Sequence, residues 1–318
     1  MSLPTSDPDE PLEGTDDLPV DGADVDPDGG ADLPVEPVDP EDLEFDLEGE
    51  DDLGDDDEDG DDDDDGGEES DEPKAKASKR KPKAEEDEEV ANPDTPVPTA
   101  KKMRAALDWA FEGEEDITPE VLEVFTKHAL LTLKANREMN LVTVLDPKEL
   151  SAKVYLDSWR VTRLVPLMAR RIVDVGAGAG FPGLILAIAE PMCSMVLCEA
   201  NVKKATNLES MVAELGLRNV TVAAMRAEDY LSTERCDAAL VRAVSSVREN
   251  IRTLRKVRHS LKDYVMLKGK SWSREVRAAE REAERLGFKL DTVWEHELPE
   301  ELGARAVLVY RAPGGAGM

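Results

Sequence analysis

The sequence is poor in the residues that build metal centres and disulfide frameworks. Its 318 residues include three cysteines and three histidines. Cys193, Cys198 and Cys236 are odd in number and lack CxxC spacing, so we expect buried free thiols and neither disulfides nor zinc ligands. The histidines are scattered, without HxxxH or HExxH spacing. We therefore predict no metal site and expect each histidine to be structural or on the surface.

Long apolar segments are also missing. No stretch of about 18 consecutive apolar residues occurs, and no apolar signal-peptide core follows Met1. We therefore expect a cytoplasmic protein that does not associate with membranes.

Basic residues are scarce in the first hundred positions. Residues 1–100 hold 41 acidic against 6 basic residues, a net charge of −35, whereas the whole chain has −33. With Phe45 as its one aromatic residue, this segment cannot bury enough apolar surface to offset its ordering entropy. We predict a disordered, highly acidic tail over 1–100 with a basic island at 74–83. Such a tail either solubilises the protein or competes with nucleic acid for a basic face of the folded part.

Residues 101–318 are expected to form one α/β domain. Helical spacing over 101–160, with N-caps at Thr118 and Asp146, predicts a group of N-terminal helices. From 170 to 312 short apolar runs alternate with helical segments, which predicts a mostly parallel sheet with helices on both faces. The link between the last two runs is too short for a helix, so these runs should form an antiparallel hairpin. Strands are predicted at 171–175, 194–199, 220–224, 236–243, 264–269, 288–298 and 304–312.

A glycine-rich stretch, DVGAGAGFPG at 174–183, follows the first predicted strand. Its glycines allow positive φ and close approach of a ligand to the backbone; they are Gly176, Gly178 and Gly180. The dinucleotide fingerprint G-x-G-x-x-G needs a third glycine where this chain has Phe181. We expect Phe181 and Pro182 to crowd the helix N-terminus that a pyrophosphate would occupy. The loop therefore favours a nucleoside ligand without a diphosphate.

Two further positions fit an adenosine ligand. Glu199 ends the second predicted strand, where a carboxylate can accept hydrogen bonds from both ribose hydroxyls. After the third strand, the small Ala227 and the neighbouring Glu228 are candidates to face the adenine ring.

As a set, these residues resemble the RsmG (GidB) family of bacterial 16S ribosomal RNA guanine-N7 methyltransferases. The resemblance spans about 103–311 and rests on the following stretches: NLVTVLDP (140–147), YLDSWR (155–160), IVDVGAGAGFPGLILAI (172–188), MRAEDY (225–230), LVRAVSSV (240–247) and LKGK (267–270). It implies the class I S-adenosylmethionine-dependent methyltransferase fold, which is Rossmann-like, with a seven-stranded sheet that ends in an antiparallel hairpin. It also implies S-adenosyl-L-methionine as cofactor, contacted by Gly176, Phe181, Ala227, Glu228 and Arg242.

The implied acceptor atom has simple chemical requirements. Guanine N7 has an exposed lone pair and carries no proton, so methyl transfer needs positioning and desolvation but no general base. Positive charge develops on the purine, which a nearby carboxylate or carbonyl would stabilise. No catalytic residue is therefore predicted, and Arg242 is expected to fix the cofactor or the guanine.

Candidate RNA contacts are Asn140, Lys203, Lys204 and Lys268. Because N7 is inaccessible in the deep, narrow groove of an RNA helix, we expect a loop or a partly assembled small subunit as substrate, bound by a monomer. Two rival hypotheses remain open. One is a class I methyltransferase that acts on a protein or small molecule, and the other is a nucleotide-binding protein that uses the fold only as a scaffold.

Overall fold

The computed structural model describes residues 91–315, so most of the predicted acidic tail lies outside the described residues. Residues 91–99 already contact the domain. Thr95 is fully buried; its hydroxyl accepts a hydrogen bond from Asn136 Nδ2 (3.0 Å) and its carbonyl accepts one from Arg137 Nε (2.9 Å). The domain thus begins before the boundary that the sequence predicts at residue 101.

Nine α-helices occur in the described part of the chain: α1 (Ala100–Ala110), α2 (Pro119–Ala135), α3 (Pro147–Leu150), α4 (Asp157–Trp159), α5 (Gly183–Ala189), α6 (Val202–Leu215), α7 (Ala227–Thr233), α8 (Val247–Thr253) and α9 (Trp272–Leu286). A π-helical segment, Ser151–Leu156, joins α3 to α4, and a 3-10 turn, Arg160–Arg163, follows α4. None of the helices between residues 91 and 315 has the length and apolar character that a membrane span requires.

The helix N-termini form where the sequence predicts them. The Thr118 hydroxyl accepts from the Val121 amide (3.4 Å) ahead of Pro119, and the Asp146 carboxylate accepts from two amides at the start of α3. Helical spacing after Thr118 predicts a helix as far as residue 139, but α2 is shorter. The helix stops at Ala135 because the Asn136 side chain accepts from the amides of Leu141 and Val142, which turns the chain away.

All seven predicted strands are present with nearly the predicted bounds: β1 (Arg171–Val175), β2 (Ser194–Cys198), β3 (Val220–Ala223), β4 (Ala238–Arg242), β5 (Asp263–Gly269), β6 (Lys289–Glu297) and β7 (Ala304–Arg311). The sheet order is β3-β2-β1-β4-β5-β7-β6. Strands β1 to β5 are parallel, and β7 runs antiparallel to both β5 and β6. The predicted hairpin is confirmed. Its short link excludes the crossover that a parallel pair needs.

Alternation along the strands creates a core on each face of the sheet. In β1, Val173 and Val175 belong to the apolar cluster beneath α7, α8 and α9, whereas Ile172 belongs to the cluster beneath α5 and α6. A third cluster joins α1, α2 and the π-helical segment to α5. The N-terminal helices therefore pack directly on the helix that follows the glycine-rich stretch.

The cysteines are free and buried, as predicted. Burial raises the pKa of the Cys193 and Cys236 thiols to about 11 and that of Cys198 to about 12, so all three stay protonated at neutral pH.

Asn136 offers a test of this packing. We expect Asn136→Ala to lower the free energy of unfolding by about 2–4 kcal/mol, because the change leaves the Leu141 and Val142 amides without their acceptor and removes the donor to the Thr95 hydroxyl, which keeps its bond to the Asn92 carbonyl. Urea denaturation followed by circular dichroism measures the effect. Lys134→Ala, an exposed change on the same helix, serves as the control and should stay within about 0.5 kcal/mol of the wild type. Equal stabilities of the two variants would contradict the expectation.

Candidate active site

The glycine loop, residues 176–180, leaves β1 with three glycines in the left-handed region. The φ angles are +71° at Gly176, +55° at Gly178 and +90° at Gly180. The reasons for glycine differ along the loop. A Cβ at Gly180 would lie 2.4 Å from Leu184 Cδ1, so packing excludes a side chain there. A Cβ at Gly178 would lie 3.9 Å from its nearest neighbour, so packing does not exclude a side chain there. The positive φ angle favours glycine at this position, and the space beside it is open to a ligand.

Glu199 holds the loop from the end of β2. Its Oε2 accepts a hydrogen bond from the Gly178 amide (3.0 Å), and its Oε1 accepts one from the Asn201 amide (2.8 Å). The side chain is half-buried, so lone pairs of the same carboxylate remain available at the cleft. The role predicted for Glu199, as an acceptor for ribose hydroxyls, stays a prediction that needs these lone pairs.

Asp174 holds the start of α5 from beneath. It is fully buried, and its Oδ2 accepts from the Gly183 amide (2.8 Å), while Oδ1 has no protein partner. A Cβ at Gly183 would lie 2.7 Å from Oδ2, so glycine is required for this bond. Burial raises the pKa of Asp174 to about 7, and the nearby Glu199 adds to the increase. The hydrogen bond from Gly183 and the nearby Arg242 have the opposite effect and lower this pKa.

His128 holds the loop from α2. Its Nε2 lies 3.1 Å from the Ala179 carbonyl oxygen, and its Nδ1 lies 2.7 Å from the Tyr155 hydroxyl. Because a carbonyl only accepts, Nε2 carries the proton and Nδ1 accepts from Tyr155. Burial lowers the pKa of His128 to about 4, so the ring is neutral at physiological pH.

Phe181 does not take the place that the sequence suggests. Its ring is 7% exposed and packs edge-on against His128 and Tyr155, at centroid distances of 5.2 and 5.1 Å. The expectation that this ring crowds a pyrophosphate site is corrected, because the apolar cluster of the N-terminal helices takes up the ring. With the ring buried, the predicted contact between Phe181 and the cofactor would be made by its main chain, next to Gly180.

Arg242, at the end of β4, is fixed by the π-helical segment and α4. Its Nη2 donates to the Lys153 carbonyl (2.6 Å), and its Nε lies 3.4 Å from Asp157 Oδ2. The Asp157 side chain is 4% exposed, and two further groups approach it: His296 Nε2 at 3.5 Å and Arg305 Nε at 3.9 Å. One buried carboxylate thus lies among side chains from β4, β6 and β7.

A cavity of about 710 Å³ opens beside this cluster at the carboxyl ends of β4 and β5. We call it the acceptor cavity. Val244 lines it, and a Cβ at Gly176 would lie 3.5 Å from Val244 Cγ2, so the cavity adjoins the glycine loop. Its volume falls within the range of about 300–1,000 Å³ that is usual for small-molecule sites. The other residues discussed below that line it are Asp157, Arg242, Lys268, Lys270, Ser271, Glu275 and Arg305.

Exposed apolar side chains lie after the carboxyl ends of β2, β3 and β4, where the cofactor is expected. Of the five large apolar residues exposed within 91–315, Val202, Met225 and Val244 follow β2, β3 and β4. Ala227 is buried at the start of α7 and Glu228 is half-buried beside it. Exposed apolar groups at the end of parallel strands indicate a ligand-binding cleft, and here they could flank an adenine ring above Glu199.

The predicted RNA contacts occupy different settings. Lys203 is exposed at the start of α6, Lys204 is half-buried beside it, and Asn140 is half-buried in the loop after α2. Lys268 is the exception, since its ammonium donates to the Ser245 carbonyl (2.5 Å) and to Glu275 Oε2 (2.7 Å), and its side chain is 9% exposed. This internal pairing argues against a phosphate contact by Lys268.

Several residues of the site escape sequence reasoning. His128 and Arg305 lie far in the chain from Tyr155 and Asp157, which they contact only through the fold, so no local spacing indicates these pairings. Asp174 is different. Its position near the end of β1, two residues before Gly176, indicates from the sequence that it lies at the glycine loop. Within residues 91–315, His, Cys, Asp and Glu side chains form no group of three or more that could hold a metal ion.

Together, the strand order, the antiparallel last hairpin and the glycine loop beside a strand-end carboxylate define a class I S-adenosylmethionine-dependent methyltransferase. The residues present fit that cofactor. The loop leaves space beside Gly178, Glu199 offers a hydrogen-bond acceptor, and the exposed Val202, Met225 and Val244 supply apolar surface. The particular family follows from the sequence. The chain belongs to the GidB family, rRNA small subunit methyltransferase G, whose model matches residues 122–301.

Similar proteins carry the same description. The chain is 32% identical over 214 residues to the ribosomal RNA small subunit methyltransferase G of Solibacter usitatus, which covers 64% of this chain and 100% of that protein. It is 33% identical to the protein of that name from Carboxydothermus hydrogenoformans, with 66% and 91% coverage. A solved SAM-dependent methyltransferase from Aquifex aeolicus is 17% identical, covers 52% of this chain and 94% of that chain, and has a TM-score of 0.40.

The buried His128 should make stability depend on pH. The pKa of about 4 in the folded state lies below the usual histidine value of 6.5, so the stability that the neutral ring contributes is present above pH 6.5 and is lost as the pH falls towards 4. We expect the difference in unfolding free energy between wild type and His128→Gln to shrink by about 1.4 kcal/mol per pH unit over that window. Urea denaturation of both proteins at pH 7 and pH 4.5 measures it. A difference independent of pH would contradict the assignment of a neutral, buried ring.

Proposed function

We propose that this protein transfers the methyl group of S-adenosyl-L-methionine to N7 of a guanine in 16S ribosomal RNA of the small ribosomal subunit. The observation that carries the proposal is the acceptor cavity, which adjoins the glycine loop at Val244. Family membership supports the same reaction, since the matching description is an rRNA small subunit methyltransferase. No feature of the cavity favours a protein or small-molecule acceptor over RNA.

Residues at or just after the carboxyl ends of β1, β2, β3 and β4 make the cofactor contacts. The backbone of Gly176, Gly178 and Gly180 provides the close approach, and Glu199 accepts from the ribose hydroxyls. Ala227 and Glu228 border the adenine ring, and Arg242 stands between this cleft and the acceptor cavity, where Asp157 and the Lys153 carbonyl keep it in place. When bound, S-adenosylmethionine supplies the methyl group.

The lining of the acceptor cavity suits an acceptor atom that has no proton to lose. Its lining side chains include neither histidine nor cysteine, and its carboxylates, Asp157 and Glu275, are engaged with cations. Because guanine N7 attacks with a lone pair, no side chain has to remove a proton. The residues bind and orient the base and exclude water, and the two carboxylates offset the positive charge that develops on the purine.

Exposed basic groups border the cleft and provide the contacts to RNA phosphates. Lys270 is exposed at the cavity, Arg305 is partly exposed, and Lys203 and Lys204 follow β2 on the cofactor side. Clustered cations of this kind bind the phosphate backbone in a salt-dependent manner. Asn140 is a further candidate contact. We infer a monomer that acts in the cytoplasm on 16S ribosomal RNA or on an assembling small subunit, with residues 1–100 as an acidic tail and 101–318 as the methyltransferase domain.

Mapping of 7-methylguanine in 16S ribosomal RNA tests the proposed reaction. We expect one guanine to carry the modification in cells with the gene and to lose it in cells without the gene. In vitro, tritiated methyl transfer to small-subunit RNA should exceed transfer to a protein extract. An unchanged RNA methylation pattern, or a preference for protein, would refute the proposal.

The role of Glu199 is tested by Glu199→Gln. We expect cofactor affinity to fall about 10- to 100-fold, because the ribose hydroxyls lose a charged acceptor. Isothermal titration calorimetry with S-adenosylmethionine gives the dissociation constant. Glu209→Gln, an exposed change on α6, is the matched control and should bind as the wild type does. Equal affinities for the two variants would remove Glu199 from the cofactor site.

A further inference from the structure

We propose that Glu275 determines guanine specificity by accepting a hydrogen bond from the 2-amino group of the guanine in the acceptor cavity. The inference rests on the proposed function and deepens it. It assigns to one side chain the distinction between guanine and adenine, the other purine with an exposed N7.

The Glu275 carboxylate is held at one oxygen and open at the other. Oε2 accepts from Lys268 Nζ (2.7 Å) and from the Val247 amide (3.0 Å). Oε1 receives only a long bond from the Ser271 hydroxyl (3.3 Å). The side chain is 24% exposed and lines the acceptor cavity. The first oxygen therefore fixes the orientation, and the second keeps acceptor capacity for a ligand.

Lys268 supports this arrangement and does not compete with it. Its ammonium is almost fully buried between the Ser245 carbonyl and Glu275, which ties the end of β5 to the first turn of α9. The bond from Lys268 to Oε2 limits the rotation of the carboxylate. An ionised carboxylate is an acceptor only, which is the property that selects for a donor on the base.

The other carboxylate of the cavity is not equivalent. Asp157 is 4% exposed, and Arg242, His296 and Arg305 approach its two oxygens. Its acceptor capacity is therefore directed at protein groups. Among the residues that line the cavity, Glu275 is the carboxylate with an oxygen left for the base.

The chemistry of the two purines gives the discrimination. Guanine carries donors at N1 and at the 2-amino group, whereas adenine has an acceptor at N1 and no 2-amino group. A fixed acceptor binds the N1 and 2-amino edge of guanine and repels the N1 edge of adenine. The selection is strong because adenine would leave polar groups of the cavity without hydrogen-bond partners. The 2-amino group lies on the side of the purine away from N7. With N7 directed at the cofactor near Val244, that group points towards the part of the cavity formed after β5 and by α9.

The test combines a protein change with a base change. The target guanosine, once mapped, is replaced by inosine, which lacks only the 2-amino group, and methyl transfer to both RNAs is measured for wild type and Glu275→Gln. We expect wild type to lose about 10- to 100-fold in kcat/KM on inosine RNA, and Glu275→Gln to lose a similar factor on guanosine RNA. The two losses should not multiply, because each change removes the same contact.

Two controls separate recognition from folding. Glu280→Gln, an exposed change on the same helix, should match the wild type on both RNAs. Glu275→Gln should keep the wild-type dissociation constant for S-adenosylmethionine. The ratio of guanosine to inosine rates is measured within one protein, so it stays informative if Glu275→Gln is less stable. Multiplicative losses, or full activity of Glu275→Gln on guanosine RNA, would overturn the inference while leaving the proposed function intact. If the wild type methylates no guanine in ribosomal RNA, both fail.

Discussion

Three side chains from different elements hold the main chain of the glycine loop and of the helix start that follows it. Glu199 from β2 holds the Gly178 amide, Asp174 from β1 holds the Gly183 amide, and His128 from α2 holds the Ala179 carbonyl. Such contacts are needed because glycines lose more conformational entropy on folding than other residues do. These three contacts make a preformed ligand site out of an intrinsically flexible segment.

A second consequence of this arrangement is that the N-terminal helices belong to the active site. Phe181 packs against His128 and Tyr155, and the π-helical segment and α4 supply the Lys153 carbonyl and the Asp157 carboxylate that hold Arg242. The cofactor side and the acceptor side are therefore braced by the same helical layer. Preorganisation of this kind suits a reaction in which the enzyme positions reactants and transfers no proton.

Much of the fold was accessible from local sequence patterns. The bounds of β1, the caps at Thr118 and Asp146, and the final hairpin agree with periodicity, capping chemistry and link length. The site was accessible only in part. Glu199 lies where the strand end predicts, but Phe181 is packed away from the cleft and Lys268 is paired with Glu275. Residue type and spacing identified these positions without showing which neighbour each side chain would meet.

The sequence by itself determined the alternation of strands and helices, the glycine loop and the family, because these depend on residues that are neighbours in the chain. The tertiary structure alone decided which side chains are free to bind. Asp157 contacts Arg242, His296 and Arg305, which lie up to 148 positions away in the chain, and Lys268 pairs with Glu275 only because the start of α9 packs beside the end of β5. Burial and pairing energies depend on such distant partners, so no local pattern can encode which oxygen of a carboxylate remains open to a base.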